Sequence, residues 1–453
     1  MPANGRDNKS IIHDLDSIVG SQLPAGTDIS IAVWDLDGDS AIYGYRENVM
    51  NRPASTMKIL TSFTALKALG AEYEFLTTVK TDGIIGSDSI LRGNVYLVGG
   101  LDPLLMDTDI RQLAATLAGN GVKSIEGDVI ADVSIMDSIY WGSGWAWDDT
   151  PSSFQPYISP LMVNGGFVTV SVKPTQKGMA PTVKITPESE YYTVTNTSLN
   201  YTNPLGPLKI TRDWINNRNT ITISGNCQSA SSIELNIYDC SKFALTLFTE
   251  YLTQNGISFN NSGFGKCPDP ASILAFASHS LKDVMKETLK ESVNLDAEAM
   301  FLQAARSGRS KKPTSFSAAA TYEDAMYKQL LGKRIPAFNI ADGSGLSMYD
   351  YIPASMFVEV LRLIYHNNEM YGIIYDSLPI AGYDGTLKNR LNGRPTSRNI
   401  HAKTGTVTGA CTLAGYARSV DGRNMAFCIM NSGAIKMAPS RRVQDAVCLI
   451  LCK

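Results

Sequence analysis

Two alternating β patterns stand at opposite ends of the chain, and they constrain its fold more than any other feature. Near the start, DISIAVWDL (28–36) and SAIYGYRE (40–47) alternate apolar and polar residues about a turn at Asp37 and Gly38, the pattern of a hairpin. Near the end, ACTLAGYARSVDGRNMAFCIMNSG (410–433) makes a second hairpin with its turn at Asp421 and Gly422. Between them lie long helical patterns, SLKDVMKETLKESVNLDAEAMFLQAARSG (280–308) and PASMFVEVLRLIYHN (353–367), and a last helix is expected from about Pro439. Hairpins at both ends with helices between predict one antiparallel sheet packed against helices and built from both termini, an α/β chain of the α+β kind. From about Lys80 to Pro270 the texture changes to short strands, turns rich in Gly, Pro and Asn, and few helices. The expected division is a discontinuous domain of residues 1–79 and 271–453, interrupted by an inserted region, 80–270, of mainly β and mixed character in two small lobes.

At 453 residues and 44% hydrophobic content, the chain can bury two or three cores of ordinary size. A net charge of -3 leaves no electrostatic footprint for nucleic acid or an anionic membrane, and no run of about 18 apolar residues marks a membrane span. The opening MPANGRDNKS is polar and lacks a signal-peptide core, which leaves a cytosolic protein or an exported one whose signal is absent from this chain. Seven cysteines contain no CxxC pair or metal spacing and four histidines are scattered, so neither zinc chemistry nor any other cofactor is expected. Cys411 and Cys428 flank the closing hairpin, yet a turn at 421–422 does not set them opposite each other.

The chemistry-bearing residues begin in MNRPASTMKILTSFTALKALG (50–70). Pro53 and Gly70 punctuate a helix, and Ile59, Leu60, Phe63, Leu66 and Leu69 recur at helical spacing, so Ser55 falls in its first turn or at its cap. Lys58 lies one turn along on the same face, where its amine reaches the hydroxyl, so the segment alone allows either a helix cap or an activated serine. Ser55-Thr56-Met57-Lys58 is the one Ser-x-x-Lys in the chain. Lys403-Thr404-Gly405, just before an alternating strand, is likewise unique. Ser-x-Asn occurs at Ser198, Ser224, Ser258, Ser292 and Ser397; Ser292-Val293-Asn294 is preferred because it joins two helical segments and can present both side chains to a cleft.

Ser-x-x-Lys, Ser-x-Asn and Lys-Thr-Gly in this order form the signature of penicillin-recognising acyl transferases. The surrounding segments GNVYLVGGLDPLL, GVKSIEGDVIADVSIMD, GSGWAWDD, ADGSGLSMYDYIP and LPIAGYDGTLKNRL resemble the low-molecular-mass class C penicillin-binding proteins, the D-alanyl-D-alanine carboxypeptidase/endopeptidase family, from about Asp28 to Ala446. The wide gap between Ser55 and Ser292 matches that family's large insertion. The resemblance implies a serine DD-peptidase of the bacterial envelope that acts on peptidoglycan stem peptides and is acylated by β-lactams. Ser55 would be the nucleophile, and Lys58, desolvated, could accept its proton. Ser292 would relay a proton to the leaving amine, Asn294 hold the substrate amide, and Lys403 supply positive field. Thr404 and its neighbours Gly405 and Thr406 would bind the terminal carboxylate, with the N–H groups of Ser55 and Thr406 as the oxyanion hole.

One position departs from the pattern. Relatives carry Arg after the Asp-Gly-Ser-Gly-Leu-Ser segment, where it reads a charged stem side chain; here the residue is Met348. Met348 offers no guanidinium, so the expectation is weak discrimination between free and amidated stem carboxylates, while Asp148, which matches the acidic position that would pair with the stem's free amine, should keep a preference for a stem with that amine. Trp141, Trp145 and Trp147 read as packing within the insertion, ADGSGLS as a turn that only the family resemblance places near the cleft, and Gly99-Gly100 without Gly-Lys-Ser/Thr as no phosphate loop. The rivals are a β-lactamase, disfavoured by the long insertion and the absence of a clear Glu-x-x-x-Asn loop, and a non-catalytic wall-peptide or β-lactam binding module.

Overall fold

A computed structural model of the chain describes residues 7–201, 205–307, 312–335 and 337–453; most of the polar opening, residues 1–6, lies outside the described residues. The expected sheet is present. Five antiparallel strands run in the order Ser40–Tyr45, Asp28–Asp35, Asn424–Ala434, Gly409–Arg418, Ile400–Val407, so the two hairpins join along the central pairing of Ala32 with Cys428 and Val33 with Phe427. Cys411 faces Asn431 and Cys428 faces Ala414, so the two cysteines are not partners across the ladder, and both thiols are free.

The central strands are buried on both faces because helices cover both sides. On the outer side, Asn8–Ser21 and Met437–Cys452 press Leu15, Ile18, Val447 and Leu451 against Ile31, Phe427 and Ile429. On the inner side lie Met57–Leu69, Asn294–Ser307 and Ala354–Tyr365, with Leu60, Phe63, Phe301 and Phe357 in one large core. Each such side chain contributes about 1.5–3 kcal/mol by leaving water. Met57–Leu69 is buried continuously from Met57 to Leu66, so its polar residues need internal partners. Thr61 Oγ1 donates to the Gly343 carbonyl at 2.7 Å and Thr64 Oγ1 to that of Leu60 at 3.0 Å.

Strand Glu74–Thr81 leads out of this body and strand Ser272–Ser280 returns, paired antiparallel from Glu74 with Ser280 to Thr81 with Ser272. They form one edge of a second five-stranded sheet that continues through Val95–Val98, Val129–Asp132 and Ser262–Phe264. Two three-stranded sheets and a four-stranded one complete the region. It is more helical than its sequence texture predicts: Asp107–Gly119 and Cys240–Gln254 are regular helices. The Asp109 carboxylate accepts the Met106 N–H and the Asp239 carboxylate accepts the Lys242 N–H, fixing both starts. Their apolar stripes, Ile110, Leu113 and Leu117 on one and Phe243, Leu247 and Tyr251 on the other, fill a core separate from that of the body. Flanking Gly and Asn turns mask this periodicity in the sequence.

Candidate active site

Ser55 sits in a single 3-10 turn, Ala54–Thr56, that runs directly into the helix Met57–Leu69. The turn is pinned from three directions. Thr56 Oγ1 and Thr412 Oγ1 both donate to the Pro53 carbonyl, at 2.6 and 2.7 Å. Ala54 takes the left-handed φ of 47°, and Gly345, at φ 79°, passes so close to the Ala54 carbonyl that a β-carbon there would collide with it. The Ser55 side chain caps no helix N–H, which removes the structural role that the sequence left open. Instead its Oγ accepts a hydrogen bond from Lys58 Nζ at 3.0 Å.

Lys58 is wholly buried and donates twice more, to Asn294 Oδ1 at 2.6 Å and to the Ser344 carbonyl at 3.0 Å. Burial pushes its pKa down to about 8, against the opposing pull of Asp342, Glu298 and Asp296. Asn294 is the first residue of its helix, two residues after Ser292, which turns the corner at a left-handed φ of 69°. The far end of Asn294 is tied as well, its Nδ2 donating to the Phe154 carbonyl at 2.6 Å. The preceding helix is anchored by Lys290 on Asp384 at 2.6 Å.

Lys403 lies within strand Ile400–Val407, one residue before Thr404 and two before Gly405. Its Nζ donates to Ser292 Oγ at 2.8 Å and to the Thr404 carbonyl at 3.0 Å. It too is wholly buried; burial and then the charge of Lys58 hold its pKa well below the usual lysine range, with Glu291 opposing. At Gly405 a β-carbon would strike Thr412 Oγ1 and stand 3.0 Å from the Ser55 nitrogen, so only glycine lets the strand pass this close to the Ser55 amide. Thr404 Oγ1 donates to Thr386 Oγ1 at 2.8 Å.

Behind Lys58 the Asp342–Ser347 loop is held by buried carboxylates that the sequence reading missed. Glu298 accepts the N–H groups of Gly343 and Ser344 at 2.9 Å each. Asp342 accepts those of Gly345 and Ser347 at 2.7 Å and the Trp145 indole N–H at 2.8 Å. Asp350 accepts the Ala341 N–H at 2.7 Å. Burial, followed by the neighbouring Asp342, raises Glu298 and Asp350 well above the usual carboxylate range. An acid inside the apolar run LDAEAMF was the available signal for Glu298.

Above these residues opens a cleft of 760 Å³. Ser55, Ser292, Asn294 and Thr406 line its floor, and Asp148, Asp149, Phe154, Leu346 and Met348 line its walls. The structure thus gathers Ser55, Lys58, Ser292, Asn294 and Lys403 into one hydrogen-bonded cluster and brings Asp148 and Met348 to its rim. Among the described residues lining the cleft, Arg52 carries the one cationic side chain; it was not anticipated. Its Nη2 donates to the Thr408 carbonyl at 2.8 Å. Trp141, stacked on Tyr157, and Trp145 pack inward, whereas Trp147 does not.

A hydroxyl bonded to a buried amine depressed toward neutrality, with a second lysine–serine pair beside it, is equipped for acyl transfer through a serine ester. The comparisons agree. Residues 12–453 match the D-Ala-D-Ala carboxypeptidase 3 (S13) family. A D-alanyl-D-alanine carboxypeptidase of Actinomadura is 29% identical over 99% of this chain and 86% of its own length. The crystal structure of penicillin-binding protein 4 from Haemophilus influenzae superposes with a TM-score of 0.85 at 24% identity, covering 96% of this chain and 97% of that one. The same protein complexed with a β-lactam gives 0.81 at 23% identity, over 97% and 99%. The chain therefore belongs to the D-Ala-D-Ala carboxypeptidase 3 (S13) family of serine DD-peptidases.

Proposed function

We propose that Ser55 carries the acyl group in this enzyme and that Lys58 takes its proton. The observation that carries the reading is the single amine, wholly buried and lowered to about 8, that contacts both Ser55 Oγ and Asn294 Oδ1. Ser55 Oγ attacks the carbonyl between the last two D-alanines of a peptidoglycan stem while Lys58 accepts the hydroxyl proton. The oxyanion meets the backbone N–H groups of Ser55 and Thr406, each worth roughly 10²–10³ in rate. Ser292, bonded to Lys403, passes a proton to the departing D-alanine amine, and Asn294 orients the substrate amide. Thr404 binds the terminal carboxylate, whose own charge favours the protonated form of Lys403 against its burial, and Lys403 then holds it by its positive field. Water then attacks the ester and frees the shortened stem.

A β-lactam enters by the same route but keeps its leaving group tethered, so the ester persists. A cross-linked peptide offers the same D-Ala carbonyl, so endopeptidase action belongs to the same site. Such a substrate requires export to the envelope; among the described residues no helix is long and apolar enough to cross a membrane. Asp148 and Met348 would face the stem's third residue. The inserted region, about 80–270 between the two parts of the catalytic domain, 1–79 and 271–453, would shape access rather than chemistry.

The test is D-alanine release from a stem pentapeptide, with the lifetime of the penicilloyl adduct followed by intact mass. Release with a long-lived adduct is expected. Rapid loss of the adduct with no peptide turnover would mark a β-lactamase, and neither release nor adduct would mark a binding module.

A further inference from the structure

Trp147 is 64% exposed, an unusual setting for the largest apolar side chain, and it stands between Ala146 and Asp148, both of which line the cleft. Its ring meets that of Trp214 with centroids 5.1 Å apart and planes inclined at 39°. Trp214 comes from the turn after strand Lys209–Arg212, in a different sheet, and the next residue, Ile215, is 72% exposed. Asn216 and Asn217, exposed on the same turn, add polar edges.

Two segments so far apart in sequence keep this relation through a buried network. Arg212, almost fully buried, donates from Nη1 to the Arg218 carbonyl at 3.0 Å, closing the turn that carries Trp214. Its Nη2 donates to Asn236 Oδ1 at 2.8 Å, and Asn236 Nδ2 donates in turn to Thr150 Oγ1 and the Gln155 carbonyl, both at 2.8 Å, in the segment that carries Trp147. The guanidinium, which also lies over the Tyr157 ring at 5.7 Å, thus ties the turn that carries Trp214 to the segment just after Trp147.

We infer that Trp147 and Trp214 form a subsite for the amino sugar that bears the stem peptide. This rests on the stem-peptide reading above. With the scissile bond at Ser55 and the third residue's amine at Asp148, the stem's first two residues run outward past Trp147, and the sugar follows within reach of the pair. A pyranose ring presents an apolar C–H face to stack on an indole and polar edges for the neighbouring asparagines. Continuity with the cleft selects this occupant over a protein partner.

Kinetics of D-alanine release on a disaccharide-pentapeptide and on the same pentapeptide without sugar decide the matter. The wild type should favour the sugar-bearing substrate by roughly tenfold in kcat/KM. Trp147→Ala and Trp214→Ala should erase that preference while leaving sugar-free turnover and penicillin acylation unchanged, and Trp147→Phe should keep part of it. No wild-type preference, a preference that survives Trp147→Ala, or equal loss on both substrates would overturn the proposal. Absence of release from either substrate by the wild type would instead overturn the stem-peptide reading, and this inference with it.

Discussion

The floor and the rim of the cleft face the same substrate but are built on opposite terms. On the floor, Lys58 and Lys403 are wholly buried; Lys58 donates to Ser55, Asn294 and the Ser344 carbonyl, and Lys403 to Ser292 and the neighbouring Thr404 carbonyl. On the rim, Met348 is 53% exposed, and Asp148 sits on a short turn of the inserted region next to the still more exposed Trp147. Buried polar networks are worth much when complete and are costly when broken, whereas exposed contacts are screened and individually modest. The floor should therefore set whether the enzyme acylates at all, and the rim which stems it prefers.

The sharpest way to break that division is Lys58→Met, which keeps length but removes the amine. Acylation should fall by about 10²–10⁴-fold, measured as the second-order rate with penicillin. Near-normal acylation would move the base role elsewhere. The pH profile adds a sign. Lys58 serves as base only when neutral, and burial holds its pKa at about 8, so acylation should rise from about pH 7 to about pH 9 and then level. A flat profile over that range would argue against Lys58 as proton acceptor.

Next in size is Asn294→Ala, which removes one of the three acceptors on Lys58 and the tie to Phe154. D-alanine release should drop on the order of tenfold to a hundredfold. Asn200→Ala, Asn226→Ala and Asn260→Ala, in the other Ser-x-Asn occurrences of the inserted region, should leave it nearly unchanged. Damage from one of these three and not from Asn294→Ala would assign the middle motif wrongly.

The smallest effects belong to the rim. Met348→Arg should raise kcat/KM about tenfold for a stem bearing a free carboxylate on its third residue, relative to the amidated stem. Arg52 sharpens this test, because its guanidinium already lines the cleft. If the wild type prefers the free carboxylate strongly, and Arg52→Ala rather than Met348→Arg changes that preference, Arg52 is the residue that reads it.

The same contrast explains what the sequence made legible. Ser55 and Lys58 stand three residues apart across the junction of a 3-10 turn and a helix, and Lys403 to Gly405 lie on one strand, so their relation shows in local sequence even though Thr412 and Gly345 pin the turn from elsewhere. Ser292 was recoverable because a helix–corner–helix pattern surrounds it, although its positive φ was not visible. The roles of Glu298, Asp342 and Asp350 were not read, although an acid inside an apolar run marked Glu298: their work is to hold a loop that reaches Lys58 only after the chain folds back. Arg52 escaped for the same reason, since its place in the cleft depends on Thr408, in the distant turn between strands Ile400–Val407 and Gly409–Arg418. In the fold, the hairpins announced themselves by alternation, while the parallel pairing of Ser262–Phe264 with Val129–Asp132 joins segments too distant for any local pattern to show. The tryptophans divided similarly: Trp145 is buried, but against Asp342 and Phe316 of the body rather than within the insertion as expected, and only the arrival of Trp214 gives Trp147 its setting.

The central claim, acylation at Ser55, is tested most directly by intact mass after incubation with penicillin, run on the wild type and on Ser55→Ala with unfolding temperatures in parallel. The wild type should gain the mass of one penicillin, located by digestion to the peptide containing Ser55. Ser55→Ala should remain folded and gain none. A stoichiometric penicilloyl adduct on the folded Ser55→Ala variant would contradict the account.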